Sequence, residues 1–143
     1  MTPARDTYPE NCLRGITGEH GILDEVPAPR VSTDVFQFET RDDGGFSQSI
    51  NWQDDDNAIP FTLAQTRRDR VTPQFVGLAV VATAELDRLS KLAAVGGVLS
   101  YDREPTDENP YHGNLLLAVG VPKPQKAQIA AALALLVTQI IRP

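Results

Sequence analysis

Two stretches of β-forming residues on either side of a glycine turn constrain the fold most strongly. Residues 35–40 are rich in β-formers and place Phe36 and Phe38 on one face. Phe46–Trp52 alternates between two faces, with aromatic and aliphatic side chains on one of them. Residues 41–45 lie between these stretches and contain two aspartates and two glycines, which suit a tight turn. The sequence therefore predicts a β-hairpin whose aromatic face packs on a core.

The rest of the chain shows further strand and helix patterns. Phe75–Ala82 is a continuous apolar run, which predicts a strand buried on both faces. Thr83 is a natural N-cap for a helix over residues 84–92, where leucines recur at helical spacing. Other strands are predicted at 12–16, 98–101 and 114–119, and other helices at 61–67 and 124–141.

A chain of 143 residues has the length of one domain. Residues 1–10 show no apolar periodicity, so we predict a disordered tail followed by a single domain over residues 11–143. Because strands outnumber helices, we expect an α+β domain of two layers with a mainly antiparallel or mixed sheet. The last helix has a wide apolar face, which predicts that it packs on one face of the sheet or against a second copy of the chain.

The compartment follows from three features of the sequence. The longest apolar run, residues 129–137, has nine residues and is too short to cross a bilayer. The first residues lack the apolar stretch of a signal peptide. Cys12 has no second cysteine with which to form an internal disulfide. We therefore expect a cytoplasmic protein without membrane contact.

The net charge of −6 is concentrated in one segment. Between residues 34 and 56 there are seven acids and one base, Arg41. A surface of this sign repels phosphate backbones, so we expect no nucleic-acid binding through it. A partner protein with a basic surface is the predicted ligand, and the predicted partner-binding residues are Asp42, Asp43, Asp54, Asp55 and Asp56.

Few side chains are suited to catalysis or metal binding. A calcium loop starting at Asp54 needs glycine at its sixth position and an acid at its twelfth, but these are Ile59 and Gln65. One alternative pairs the Cys12 thiolate with His112 as a general base, although a lone cysteine is more often a small core residue. The sequence contains neither common glycine-rich phosphate loop. We predict no metal and no cofactor.

Three short motifs resemble the ordered elements of ADP-ribosyltransferases. They are Leu13-Arg14-Gly15, Ser32-Thr33 and Gln37-Phe38-Glu39. The resemblance implies that Arg14 holds the cofactor's phosphates and ribose, Ser32 braces the nicotinamide pocket and Glu39 stabilises the oxocarbenium ion. Ser32 and Glu39 are seven residues apart, whereas the family has a further strand and loop between these positions. Other acids that could replace Glu39 are Glu85, Glu104 and Glu108.

The chain is also similar to a loose group of small bacterial proteins that have no known activity. The shared residues are Leu13, Arg14, Ser32, Phe36, Ser47 and the run Asn109-Pro110-Tyr111-His112. This similarity predicts that Arg14, Ser32 and His112 gather in space.

Two functions are therefore expected from the sequence. The first is a non-catalytic interaction module, such as an accessory subunit, antitoxin or immunity protein, that binds a partner through the acidic segment or the C-terminal helix. The second is an enzyme that processes NAD or a nucleotide with Arg14 for phosphate, Ser32 for the ribose region and His112 as a base or orienting group. The second function requires these three side chains to line one cleft.

Overall fold

The computed structural model describes residues 8–18, 21–68, 75–92, 95 and 97–143. Within these residues the strands are β1 (Asn11–Thr17), β2 (Ile22–Asp24), β3 (Arg30–Val31), β4 (Glu39–Thr40), β5 (Phe46–Trp52), β6 (Phe75–Ala82), β7 (Leu99–Arg103), β8 (His112–Leu117) and β9 (Val137–Ile141). The helices are α1 (Ala58–Arg68), α2 (Thr83–Ser90) and α3 (Lys123–Leu135), with a short 3-10 helix over Thr33–Phe36.

Antiparallel pairing joins seven of these strands into one sheet. Six of them lie in the order β7-β8-β5-β1-β6-β9, and β4 pairs with β5 beside this path. Strands β2 and β3 form a separate small sheet. The α+β class and the mainly antiparallel sheet are thereby confirmed.

Strand β6 lies inside the sheet between β1 and β9. Its register with β1 runs from Ala82 opposite Asn11 to Gly77 opposite Ile16. Residues 77–81 are buried, because side chains on both of its faces are covered. The predicted strand buried on both faces is confirmed.

Helices cover both faces of the sheet. On one face the main core contains Trp52, Ile50 and Cys12, together with Leu86 of α2 and Leu133 of α3. On the other face α1 lies over a smaller cluster, which comprises Leu13, Ala58, Leu78, Val80 and Tyr111. The C-terminal helix therefore packs on one face, and α1 covers part of the opposite face.

The first strand of the predicted hairpin is shorter than expected. Thr33–Phe36 forms a 3-10 helix, and only Glu39–Thr40 pairs with β5. The cause is local, because the Ser32 hydroxyl accepts a hydrogen bond from the Asp34 amide at 3.2 Å and caps the 3-10 turn. Phe36 and Phe38 are still buried, as their spacing predicts.

The C-terminal helix ends earlier than the sequence predicts. Helix α3 stops at Leu135, and Val137–Ile141 turns back to pair with β6 as β9. Four of the five residues in β9 are β-branched, and the edge of β6 offers them backbone partners.

The start of α2 also differs from the prediction. Thr83 is the first residue of α2 and not its cap, because its hydroxyl donates to the Pro9 carbonyl at 2.6 Å.

The described part of the expected N-terminal tail lies against the sheet. The Tyr8 ring is 4.7 Å from the Trp52 ring and 4.8 Å from the Tyr101 ring, centroid to centroid. The Arg103 guanidinium lies over the Tyr8 ring at 5.0 Å. Residues 1–7 are outside the described residues. No helix in the described ranges is long and apolar enough to cross a membrane.

Replacing Leu133 with alanine will test the packing of α3 on the main core. Leu133 is fully buried, so Leu133→Ala should lower the free energy of unfolding by about 2–5 kcal/mol. Leu135 lies two residues away on the same helix and is 84% exposed, so Leu135→Ala should change it by no more than about 0.5 kcal/mol. Urea denaturation measures both. Equal losses for the two variants would contradict the orientation of α3.

Candidate functional site

Strands β1 and β5 pair at one end and then diverge. Their ladder contains Cys12 opposite Trp52 and Leu13 opposite Asn51. In this register the next hydrogen-bonded pair would join Gly15 to Ser49, and it is not formed. Beyond this point β1 continues along β6, and β5 continues along β8. The divergence opens a cleft within the sheet.

The Arg14 side chain bridges the two strands where the ladder stops. Its Nη1 donates to the Ser49 carbonyl at 2.6 Å, and its Nε donates to the Val35 carbonyl at 2.9 Å. The guanidinium thus supplies the Ser49 carbonyl with a donor that β1 does not provide. Hydrogen bonds from a charged donor are stronger than neutral ones. Arg14 therefore holds β1, β5 and the 3-10 helix together at the cleft.

The cleft has a volume of about 740 Å³ and a mainly polar lining. A volume of this size lies within the range of small-ligand sites, about 300–1,000 Å³. The lining comes from β1, the 3-10 helix, β5, α1 and the loop before β8. The polar side chains among the lining residues are Arg14, Thr17, Asp34, Gln37, Glu39, Ser49, Asn51, Thr62, Gln65, Asn109 and His112.

Buried amides fix the wall between β5 and α1. The Asn51 amide donates to the Thr62 hydroxyl at 2.9 Å and to the Gln65 carbonyl oxygen at 3.1 Å. The Asn109 amide donates to Asn51 Oδ1 at 2.9 Å, and Asn109 Oδ1 accepts from the Tyr111 backbone. Because these groups are buried and paired, their positions in the cleft are set by the fold.

A second polar cluster continues along the same face of β8. His112 Nε2 lies 3.4 Å from Glu104 Oε1. The Asn114 amide donates to Glu104 at 3.1 Å and to Asp102 at 3.0 Å. The hydrogen bond from Asn114 is the main cause that lowers the pKa of Glu104, and the neighbouring His112 side chain also lowers it. His112 is thus oriented at one end of the cleft by an ionised carboxylate.

The predicted partner-binding aspartates lie in two groups. Asp42 and Asp43 are in the turn before β5, while residues 54–56 follow its last residue. Seven residues of extended strand separate the groups by about 20 Å. The five predicted partner-binding aspartates are therefore divided between the two ends of β5.

Two of the three consecutive aspartates make internal contacts. Arg103 forms a two-pronged ion pair with Asp54, at 2.8 and 3.0 Å. Hydrogen bonding to Asp54 is the main cause that raises the pKa of Arg103. The Tyr111 hydroxyl donates to Asp55 at 2.8 Å, which raises the pKa of Tyr111. Asp34 and Glu39 are the members of the acidic segment that line the cleft.

The structure brings together two of the three residues expected to gather. Arg14 and His112 line the same cleft. Ser32 caps the 3-10 helix through Asp34 and is not among the lining residues. Glu39, the proposed acid of the ADP-ribosyltransferase resemblance, is exposed on the cleft wall.

The alternative Cys12–His112 pair is wrong. Cys12 is 1% exposed and packs in the main core with Trp52, whereas His112 lies opposite Asn51 on the other face. Burial raises the pKa of the Cys12 thiol to about 12. The thiolate is therefore a negligible species at neutral pH, and Cys12 cannot act as a nucleophile.

The sequence does not predict the buried amides of the cleft. The alternation of β5 places Asn51 on the face opposite Phe46, Ile50 and Trp52, and Asn109 belongs only to a short motif. The signal in the sequence is an amide, Asn51, that lies between apolar and aromatic residues in an alternating strand. Its role depends on hydrogen bonds to Thr62 and Gln65, which only the folded chain places beside it.

Comparison with protein-family models, with curated proteins and with solved structures finds no match for this chain. The similarity to a loose group of bacterial proteins stays an expectation of the sequence. In the part of the chain that the structure describes, no group of three or more His, Cys, Asp or Glu side chains is placed to hold a metal ion.

Removing the guanidinium of Arg14 will test its bridging role. Arg14→Met keeps the aliphatic stem but leaves two carbonyls without this donor, so the free energy of unfolding should fall by about 1–3 kcal/mol. Arg30 pairs with Asp24 at 2.9 Å but its side chain is 64% exposed, so Arg30→Met should cost less than about 1 kcal/mol. Urea denaturation compares the two variants. A smaller loss for Arg14→Met than for Arg30→Met would contradict the bridge.

Proposed function

We propose that the protein is a cytosolic, non-catalytic interaction module that binds a partner protein in the cleft between β1 and β5. The observation that carries this proposal is the cleft itself, about 740 Å³ in volume, where a sheet ladder stops and polar groups remain on both walls. Packed helices on both faces of the sheet support these walls. Such a scaffold suits recognition of a partner at a fixed site.

The charges of the cleft favour a partner segment that carries a basic side chain. Asp34 and Glu39 line one wall, and both residues are exposed. Asp42, Asp43 and Asp56 lie near the ends of β5, where they add to the long-range attraction of a basic surface. Electrostatic attraction of this kind speeds association and adds selectivity.

The state of the reactive groups supports binding over catalysis. Cys12 is buried in the core with a raised pKa. The Arg14 guanidinium donates to two protein carbonyls, which orients it toward the backbone. The polar residues of the cleft are mostly amides and hydroxyls, which recognise ligands by hydrogen bonds without reacting with them.

One observation favours the second function, an enzyme that processes NAD or a nucleotide. Arg14 and His112, two of the three residues that this function requires in one cleft, both line it. Ser32 does not line it, because its hydroxyl caps the 3-10 helix. If the wild-type chain releases nicotinamide from NAD and His112→Gln does not, the protein is this enzyme and the proposal of a non-catalytic binding module is wrong.

Site-specific cross-linking in cells tests where a partner binds. A photoreactive benzoylphenylalanine at Gln37, an exposed residue of the cleft, should give a discrete cross-linked partner. The same probe at Gln139, an exposed residue of β9, should give none. Asp34→Asn combined with Glu39→Gln should lower the yield at Gln37 when the salt concentration is low, because the attraction is then least screened.

A probe at Asp56 separates the cleft from the acidic turn that follows β5. Cross-linking through Asp56 and not through Gln37 would place the partner on that turn and contradict binding of the partner in the cleft. Equal yields from Gln37 and Gln139 would show that neither position reports a specific site.

A further inference from the structure

We infer that the segment bound in the cleft is an extended peptide, held by main-chain hydrogen bonds to Ser49 and Gly15. This inference rests on the proposed function and adds the chemical class of the ligand. Its starting point is the unformed Gly15–Ser49 pair, which leaves strand backbone on both walls of the cleft.

The direction of the Ser49 backbone groups follows from the pairing of β5. The Trp52 amide donates to the Tyr111 carbonyl at 2.8 Å, on the side of β8. Backbone groups of successive strand residues point to opposite edges, so those of Ser49 point away from β8 and toward β1. The Ser49 carbonyl accepts from Arg14 and keeps a second lone pair for another donor.

The Gly15 backbone faces the same space from the opposite wall. The Gln53 amide donates to the Asn11 carbonyl at 3.0 Å, so alternate residues of β1 from Asn11 onward point to β5. Gly15 belongs to this set, and Thr17 follows it along the cleft. The two walls therefore offer donors and acceptors at strand spacing. Extended peptides bind other sheets by adding to such edges.

The size and side chains of the cleft fit a short extended segment. The distance from Gly15 to Thr17 along β1 is about 7 Å, which matches two to three residues of a bound strand. The amides of Gln37 and Gln65 lie on the walls, where they can pair with further peptide groups. Asp34 and Glu39 complement a basic side chain of the same segment.

Arg14 keeps the cleft formed in the free protein. Its side chain spans from β1 to the carbonyls of Val35 and Ser49 and so fixes both walls before a ligand arrives. A site that is already formed does not lose ordering entropy on binding. The peptide donor reaches the second lone pair of the Ser49 carbonyl without displacing the guanidinium.

A phage-displayed library of random linear dodecapeptides is the probe for this inference. Peptides selected on the wild-type chain should bind Ser49→Trp at least about tenfold more weakly, because the indole fills the cleft. Ser100 is an exposed serine of β7 that does not line the cleft, so Ser100→Trp is the matched control and should bind within about twofold of wild type. Calorimetry measures the affinities of synthetic copies.

Backbone methylation then distinguishes main-chain pairing from side-chain recognition. N-methylation of the two central peptide residues removes donors and leaves every side chain in place. The affinity should fall at least about tenfold, whereas N-methylation of the terminal residue should leave it within about twofold.

Three results would overturn the extended-peptide inference. They are a library that yields no peptide sensitive to Ser49→Trp, equal binding to the Ser49→Trp and Ser100→Trp variants, and full tolerance of central N-methylation. If cross-linking at Gln37 still captures a partner in any of these cases, the interaction module stands and only the ligand class is wrong. Failure of that cross-linking would instead remove the proposed function.

Discussion

The interruption of the β1–β5 ladder at Gly15 and Ser49 determines the shape of the polar side of this molecule. Beyond the last β1–β5 pair the Ser49 carbonyl has no partner on β1 and takes a side-chain donor in its place. Arg14 provides that donor and also bonds to Val35, so one side chain fixes two strands and the 3-10 helix. The 3-10 helix in turn places Asp34 on the cleft wall, and the pairing of β4 with β5 places Glu39 there.

The two faces of the sheet have different roles, one in packing and the other in forming the cleft. One face carries the main core, in which Trp52 and Phe36 are fully buried. The other face carries α1 over a small apolar cluster, and beyond α1 it presents amides and His112. Asp54 and Asp55 stabilise the fold through an ion pair with Arg103 and a hydrogen bond from Tyr111, respectively. Part of the acidic segment therefore stabilises the fold, and another part borders the cleft.

The strands β5 and β6 could be predicted from the sequence because their patterns are local. Alternation over Phe46–Trp52 and the apolar run of Phe75–Ala82 each identify a strand without reference to other elements. The 3-10 helix could not be predicted so directly, because the hydroxyl of Ser32 competes with strand formation in a β-rich segment. Strand β9 continues an apolar run that also fits a helix, and the open edge of β6 decides between the two.

The candidate site was predictable only in part. Arg14 and His112 were identified as residues of interest from short motifs, and both line the cleft. The cleft itself depends on where a ladder stops, which is a tertiary property that no local pattern contains. The division of the acidic segment is similar, because only the extended length of β5 shows that Asp43 and Asp54 lie far apart.

Native-state hydrogen exchange at Ser49, followed by NMR, tests the interrupted ladder most directly. The amides of Gln48 and Ile50 point to β8 and are protected by that pairing, while the Ser49 amide faces the cleft. We expect the Ser49 amide to exchange more than about a hundredfold faster than its two neighbours. Protection of Ser49 equal to that of Gln48 and Ile50 would mean that β1 and β5 remain paired at this position, and it would contradict the cleft.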